Sequence, residues 1–249
     1  MEEIYLSPNT LNLYTQCKRC FYLTVKYKIK RPRGPVSTLP SSIDYLIKDY
    51  FEYYRRINKL PPFLENIISG KLITHLDKTL YYRFTLRDKK VVIAGKLDEC
   101  IVLEDGKYVP LDHKTRGKSP TMEQVHPSYQ LQMEIYSLLL KENNYPTKDI
   151  AYLIYYFPEL VSDYTAKEMS GIINFGFKVI ELKLDILRAK RIINEAVECL
   201  EKEEIPESSP DCEYCRWHNA VNNQIENIRN KERFEKREVP AFKDGKLFE

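Results

Sequence analysis

Residues 95–116 read GKLDECIVLEDGKYVPLDHKTR, two short β-prone runs on either side of Glu104-Asp105-Gly106. Charged residues stand where a buried strand should be apolar: Asp98 interrupts the first run, Asp112 and Lys114 the second. Side chains two apart on a strand share a face, so Asp112 and Lys114 project together. Carboxylates and a lysine on one patch of sheet are costly to bury unless they bind a cation or each other. Carboxylate oxygens are the ligands that Mg2+ and Mn2+ prefer. The patch therefore reads as a metal-dependent hydrolytic site.

The turn decides whether Asp98 can join that site, because opposed residues of a hairpin share a face. With a two-residue Asp105-Gly106 loop, Asp98 would oppose His113 and lie on the other face from Asp112. With a three-residue Glu104-Asp105-Gly106 loop, Leu103 opposes Lys107 and Asp98 opposes Asp112. That loop needs a left-handed residue at its third position, and Gly106 stands there. A bulge elsewhere would correct the parity too. The site hypothesis thus predicts an odd loop or a bulge. Pro110 lacks a ladder donor, which predicts a sheet edge or a bulge at that point.

The chain has 249 residues, 43% of them apolar, and a net charge of +3. This suits a globular core and neither argues for nor excludes nucleic acid, whose binding depends on local basic patches. No apolar run reaches the length of a membrane span. The opening MEEIYLSPNT lacks a signal peptide's apolar core, so a cytoplasmic protein is expected. Of six cysteines, Cys17/Cys20 and Cys212/Cys215 form two CxxC pairs. In a reducing compartment these point to metal before disulfide. Cys100 and Cys199 read as buried small hydrophobes.

In chain order, residues 5–28 read as a helix capped by Ser7 with Pro8 at its first position. Residues 31–42 read as an extended, Pro- and Ser-rich connection. Ile43, Leu46, Ile47, Tyr50, Phe51 and Tyr54 give residues 43–57 a helical period. Residues 63–78 read as a helix flawed at Gly70, and 79–87 as the first strand. After the hairpin comes a loop with Arg116 and Lys118, then a helix over 121–142. Gln132 and Tyr136 are neighbours on one face of it. IAYLIYYF (150–157) reads as a strand buried on both faces, 172–180 as a weaker strand and 181–201 as a helix. The second CxxC falls in a proline-bounded loop. Residues 1–222 read as a single domain, and 223–249 as a charged, partly disordered extension.

Gly95 with Asp98, Asp112 with Lys114, and Gln132 with Tyr136 form the series G-x-x-D, D-x-K, Q-x-x-x-Y. In that order they resemble the PD-(D/E)XK nuclease superfamily, in its RecB-like branch. SPNTLNLYTQCKRCFYL is similar to the opening helix of that branch and PDCEYC to its closing cysteine cluster, so the likeness spans about residues 6–218. It implies an α/β, restriction-endonuclease-like core, with a central mixed β-sheet flanked by helices. A cysteine metal site would join the N-terminal helix to the C-terminal loop. It implies divalent-metal-dependent cleavage of DNA, with exonucleolytic action on single strands or ends. Asp98 and Asp112 would hold Mg2+ or Mn2+, Lys114 would orient the attacking water, and Gln132 and Tyr136 would support the site. Partners would be DNA and the proteins of a repair or defence complex. A catalytically silent DNA-binding module or a scaffold subunit is the alternative.

The sequence departs from the branch in three places. The upstream histidine ligand is missing; Asp44 replaces it by position, and His75 is the second choice. Pro110 stands where a β-branched residue is expected. Iron–sulfur members place one cysteine at the N-terminus and three at the C-terminus, but Val221 occupies the third C-terminal place and Cys20 makes up the count. The resemblance favours a [4Fe–4S] cluster at Cys17, Cys20, Cys212 and Cys215, while two CxxC knuckles suit structural Zn2+. His113 points away from Asp112 and is expected to be structural.

Overall fold

The computed structural model describes residues 3–32, 34–35, 37–74, 79–121, 125–159 and 174–238, with side chains to 231. His75 lies outside them, as do 239–249 of the expected extension. In chain order the first elements are β1 (Ile4–Leu6), α1 (Pro8–Gln16), α2 (Lys18–Lys26), α3 (Leu39–Arg56) and α4 (Pro62–Glu65). The central strands are β2 (Gly70–Leu72), β3 (Leu80–Leu86), β4 (Lys89–Gly95), β5 (Glu99–Leu103) and β6 (Tyr108–Thr115). Then come α5 (Pro127–Glu142), β7 (Ile150–Pro158), β8 (Phe175–Lys183), α6 (Ile186–Glu201) and α7 (Glu213–Glu238).

The β5–β6 hairpin closes through the three-residue loop. The Leu103 amide donates to the Lys107 carbonyl and the Gly106 amide to the Leu103 carbonyl, each at 2.9 Å. Gly106 has a φ of +76°, the left-handed conformation that only glycine adopts freely. Glu99 opposes Leu111 and Val102 opposes Tyr108, a register that sets Asp98 against Asp112. Hydrogen-bonded and open pairs alternate along an antiparallel ladder. Counting from Leu103–Lys107 makes Cys100–Pro110 an open pair, and the Cys100 carbonyl indeed accepts from Ile73 instead. The missing donor of Pro110 thus costs nothing toward β5. On its other side the pairing with β7 begins only at Leu111. Pro110 therefore sits in a central strand, with neither an edge strand nor a bulge around it.

Five strands form a mixed sheet in the order β2-β5-β6-β7-β8, in which only β6–β7 is parallel. The intervening α5 supplies the crossover that a parallel pair needs. A second sheet has the order β1-β4-β3, so residues 79–87 lead into a separate sheet. The β3–β4 hairpin turns on Arg87 and Asp88, both at positive φ.

Each face of the larger sheet has its own core. On one side Leu131, Met133, Ile135 and Leu138 of α5 pack with Leu153 and Tyr155 of β7 and with residues of α1, α2, α6 and the small sheet. On the other, Ile47 and Phe51 of α3 meet Ile101, Val109, Leu111 and Ile154. The opposed side chains of β6 sort accordingly, with Asp112 toward α5 and His113 toward α3. β7 is buried on both faces from Ala151 to Tyr155, as its unbroken apolar run requires.

Four readings of local structure are corrected. The first helix is β1 followed by two helices, because Cys17 is extended (φ −162°, ψ 109°) and ends α1 while capping α2. Ser7 does cap α1, through a capping box with Thr10. The connection over 31–42 ends early, since α3 starts at Leu39 with Pro40 in its first turn. The region read as a flawed helix over 63–78 holds α4 and then β2. Gly70 pairs with Leu103 there, and a Cβ on it would lie 2.5 Å from the Val102 carbonyl oxygen. Gly70→Ala is therefore expected to push β2 off the sheet and cost about 1–3 kcal/mol. A denaturation midpoint equal to that of the wild type would refute this. Finally, the second CxxC opens α7, which runs on to Glu238, rather than lying within a loop.

Candidate active site

Asp112, Lys114 and Asp98 meet at the end of the β5–β6 hairpin, on the face covered by α5. Asp112 is 1% exposed. Lys114 Nζ forms an ion pair with its Oδ2, which otherwise lacks a hydrogen-bond partner. Gln132 of α5 ties the two together: its Nε2 donates to Asp112 Oδ1 and its Oε1 accepts from Lys114 Nζ, both at 3.3 Å. The same Nε2 lies 3.0 Å from the Tyr136 hydroxyl, the i, i+4 neighbour along the helix. Lys114 Nζ also lies 4.6 Å from the centre of the Tyr129 ring, a cation–π contact that sequence reasoning missed. Just past the strand, Arg116 sits 5.9 Å from the Tyr155 ring centre, and Lys118 is exposed.

The electrostatics suit a cation. Burial above all raises the Asp112 carboxyl, Lys114 pulls it down and the neighbouring Asp98 pushes it up, and together they leave it at about 7. Two carboxyls this close resist ionising together. A cation between them would relieve the repulsion and use the otherwise unpartnered Oδ2. The donor set is all oxygen, as Mg2+ or Mn2+ requires. Burial and both carboxylates also hold the Tyr136 hydroxyl up at about 12, so it stays protonated.

Asp44, the upstream ligand expected from the sequence, lies near enough to Asp98 that both charges act on Lys48 and His113. It stands half-exposed on α3 and pairs with Lys48 at 2.5 Å. His113 lies on the opposite face, 4.5 Å from Phe51 between ring centres and 3.2 Å from the Tyr156 hydroxyl through Nδ1. Burial lowers its pKa to about 4, so it is neutral. His126 caps α5 by accepting from the Ser128 amide.

Two buried carboxylates escaped the sequence reading. Glu134 pairs with Arg188 at 2.8 Å. Glu99, 5% exposed, pairs with Arg55 of α3. Alternation could have placed Glu99 on the α3 face, but no local signal names its partner 44 residues away. Burial raises the Glu99 carboxyl while Arg55 opposes the shift. Arg55→Leu should thus leave an unpaired buried acid and cost about 3 kcal/mol, read as a lowered denaturation midpoint. No loss would mean that the pair is neutral to stability.

Cys17, Cys20, Cys212 and Cys215 form the second centre. All four are buried, and their sulfurs lie within 4.8 Å of one another. They come from the starts of α2 and α7, where exposed amides and the helix dipole favour thiolates. Burial raises the Cys17 thiol, but amides at Cys20 and Ser209 and the neighbouring thiols outweigh it and bring it to about 7. Among the described residues this is the only set of three or more histidine, cysteine or acidic side chains brought so close. Cys100 and Cys199 are buried elsewhere, in the core.

Among the described residues no helix is long and apolar enough to cross a membrane. No curated protein matches the sequence. A solved structure described as the crystal structure of SSO0001 is 15% identical, over 83% of this chain and 81% of that one, with a TM-score of 0.46. The family model of the PD-(D/E)XK nuclease superfamily matches residues 45–220, well over half of the chain. That span takes in Asp98, Asp112, Lys114, Gln132 and Tyr136. The chain belongs to the PD-(D/E)XK nuclease superfamily.

Proposed function

We propose that this protein is a divalent-metal-dependent deoxyribonuclease of the RecB-like branch, acting as an exonuclease on single strands or ends. The observation that carries the reading is the junction of Asp98, Asp112 and Lys114 under Gln132. One hairpin register and one helix contact bring together two carboxylates, a cation and an amide that bridges them. The mode of attack and the branch rest on the motif resemblance.

In this reading Asp98 and Asp112 hold Mg2+ or Mn2+. When bound, such an ion polarises a phosphoryl oxygen and lowers the pKa of water. Asp112 must lose its proton to serve as a ligand, so metal binding strengthens as pH rises through about 7. Lys114, held by Gln132 Oε1 and the Tyr129 ring, faces negative charge developing on the phosphate. Gln132 is a positioning residue for Asp112 and Lys114, and Tyr136 positions Gln132. Arg116 and Lys118, beyond the end of β6, are placed to grip backbone phosphate. Asp44, whose Oδ2 pairs with Lys48, is the upstream residue proposed as a further ligand.

The test is Mn2+-dependent cleavage of end-labelled single- and double-stranded DNA and of RNA by anaerobically purified protein, beside Asp112→Ala. Cleavage by the wild type alone, released as short products from the ends of DNA, is expected. Internal cuts would overturn exonuclease action, and preference for RNA would overturn the substrate. If neither protein cleaves, and the wild type binds DNA with a steep salt dependence, the chain is instead a silent binding module.

A further inference from the structure

We propose that the four cysteines hold a single tetrahedral Zn2+, and that they do not hold the [4Fe–4S] cluster that the family resemblance suggests. Sulfur spacing carries the inference. Cys20 Sγ lies 3.5 Å from Cys215 Sγ and 3.7 Å from Cys212 Sγ, and Cys17 Sγ lies 3.9 Å from Cys215 Sγ. All four sulfurs fall within 4.8 Å of one another. A tetrahedral zinc with Zn–S bonds of about 2.3 Å sets its four thiolates about 3.8 Å apart. In a [4Fe–4S] cluster each thiolate binds a different iron of a cube, with inorganic sulfides between them. Such a core holds its thiolates well apart, and no space for it lies between these sulfurs.

The surroundings agree with a closed structural ion. Four thiolates fill all four tetrahedral positions and leave none for substrate or water. They carry a net charge of about −2 around Zn2+, which requires a neighbouring cation. Arg31 supplies it: its Nη2 donates to Cys212 Sγ at 3.3 Å, and its guanidinium lies 4.8 Å from the Tyr214 ring centre. The starts of α2 and α7 add their dipoles from two sides. The two-and-two division of cysteines also matches a pair of CxxC knuckles gripping one ion.

The test is the metal and sulfide content of the full chain. It is produced with iron and zinc both supplied and purified without oxygen, so that a cluster would survive. About one zinc per chain, with neither iron nor acid-labile sulfide and no visible absorption, is expected. Exchange for Co2+ should then give the intense thiolate charge-transfer and visible bands of a tetrahedral four-sulfur site. About four irons and four sulfides per chain would overturn the proposal, as would protein that carries neither zinc nor iron. All readings are made on the wild type, so a variant that fails to fold cannot obscure them. None of them depends on cleavage, so the nuclease reading and the zinc reading stand or fall separately.

Discussion

Replacing Asp112 by Asn is expected to abolish metal-dependent cleavage and, in the same variant, to raise the melting temperature of the metal-free protein at about pH 8. The first effect follows from the role proposed for the residue. A ligand to the ion touches every step the ion serves, so activity should fall by about 10³-fold or more. The second follows from burial. An aspartate free in water titrates near 3.9, whereas Asp112 is raised to about 7. The folded state therefore holds this proton more tightly than the unfolded chain does. The stability linked to it is complete below about pH 4 and is lost as pH rises through about 7. Asn imitates the protonated form at every pH. The stability difference between variant and wild type should thus be small near pH 4, open between about pH 4 and 7, and stay constant above. Each kcal/mol corresponds to a melting shift of roughly 2–4 °C for a domain of this size. A purely structural Asp112–Lys114 ion pair predicts the opposite sign, a variant less stable at about pH 8. Thermal melts of both proteins across pH, with chelator present, decide between them.

Stripping the metal from the cysteine centre, or replacing Cys212 by Ser, is expected to lower the melting temperature by more than 10 °C. The contact between Cys20 and Cys212 spans 192 positions of the chain. Closing a loop of that length removes unfolded-state entropy worth about 5 kcal/mol at 25 °C by the cross-link relation. At roughly 2–4 °C per kcal/mol this is a shift of about 10–20 °C. The ion also holds the start of α2, whose Phe21 and Tyr22 are fully buried in the larger core. Losing the anchor should loosen that core and not merely a surface loop. Melts followed by circular dichroism before and after chelation, with cleavage assayed in parallel, measure it. An unchanged melting temperature would show that the thiols contribute nothing as a staple. The prediction holds for any ion the four sulfurs bind, so its failure bears on the staple and not on the choice of zinc.

The hairpin shows how far a local reading reaches. Asp112 and Lys114 had to share a face because backbone sterics set the period of a strand at two residues, whatever surrounds it. The sequence left a two-residue loop, a three-residue loop or a bulge open; Gly106 at a positive φ closes the three-residue form, and that register sets Asp98 opposite Asp112. The cysteine pairs were legible for a similar reason, since CxxC brings two thiols to one ion within a single turn. Where the local signal was mixed, the reading failed. Residues 63–78 carry apolar residues at helical spacing, yet Gly70 lies in a strand, at a point where β5 leaves room for no side chain. The extended Cys17 broke one expected helix into two.

Chain-local stereochemistry thus determined which side chains of the hairpin lie together and which cysteines act in pairs. These depend on a few neighbouring residues and on sterics that packing does not alter. Tertiary structure decided the rest. The packing angle of α5 across the sheet brings Gln132 onto both Asp112 and Lys114, 20 and 18 residues away. The seating of α3 on the other face pairs Arg55 with Glu99 and leaves Asp44 with Lys48. The meeting of Cys20 with Cys212 depends on where both ends of the chain dock on the core. Such contacts sum many weak apolar interactions spread over the whole chain, so no short stretch of residues encodes them.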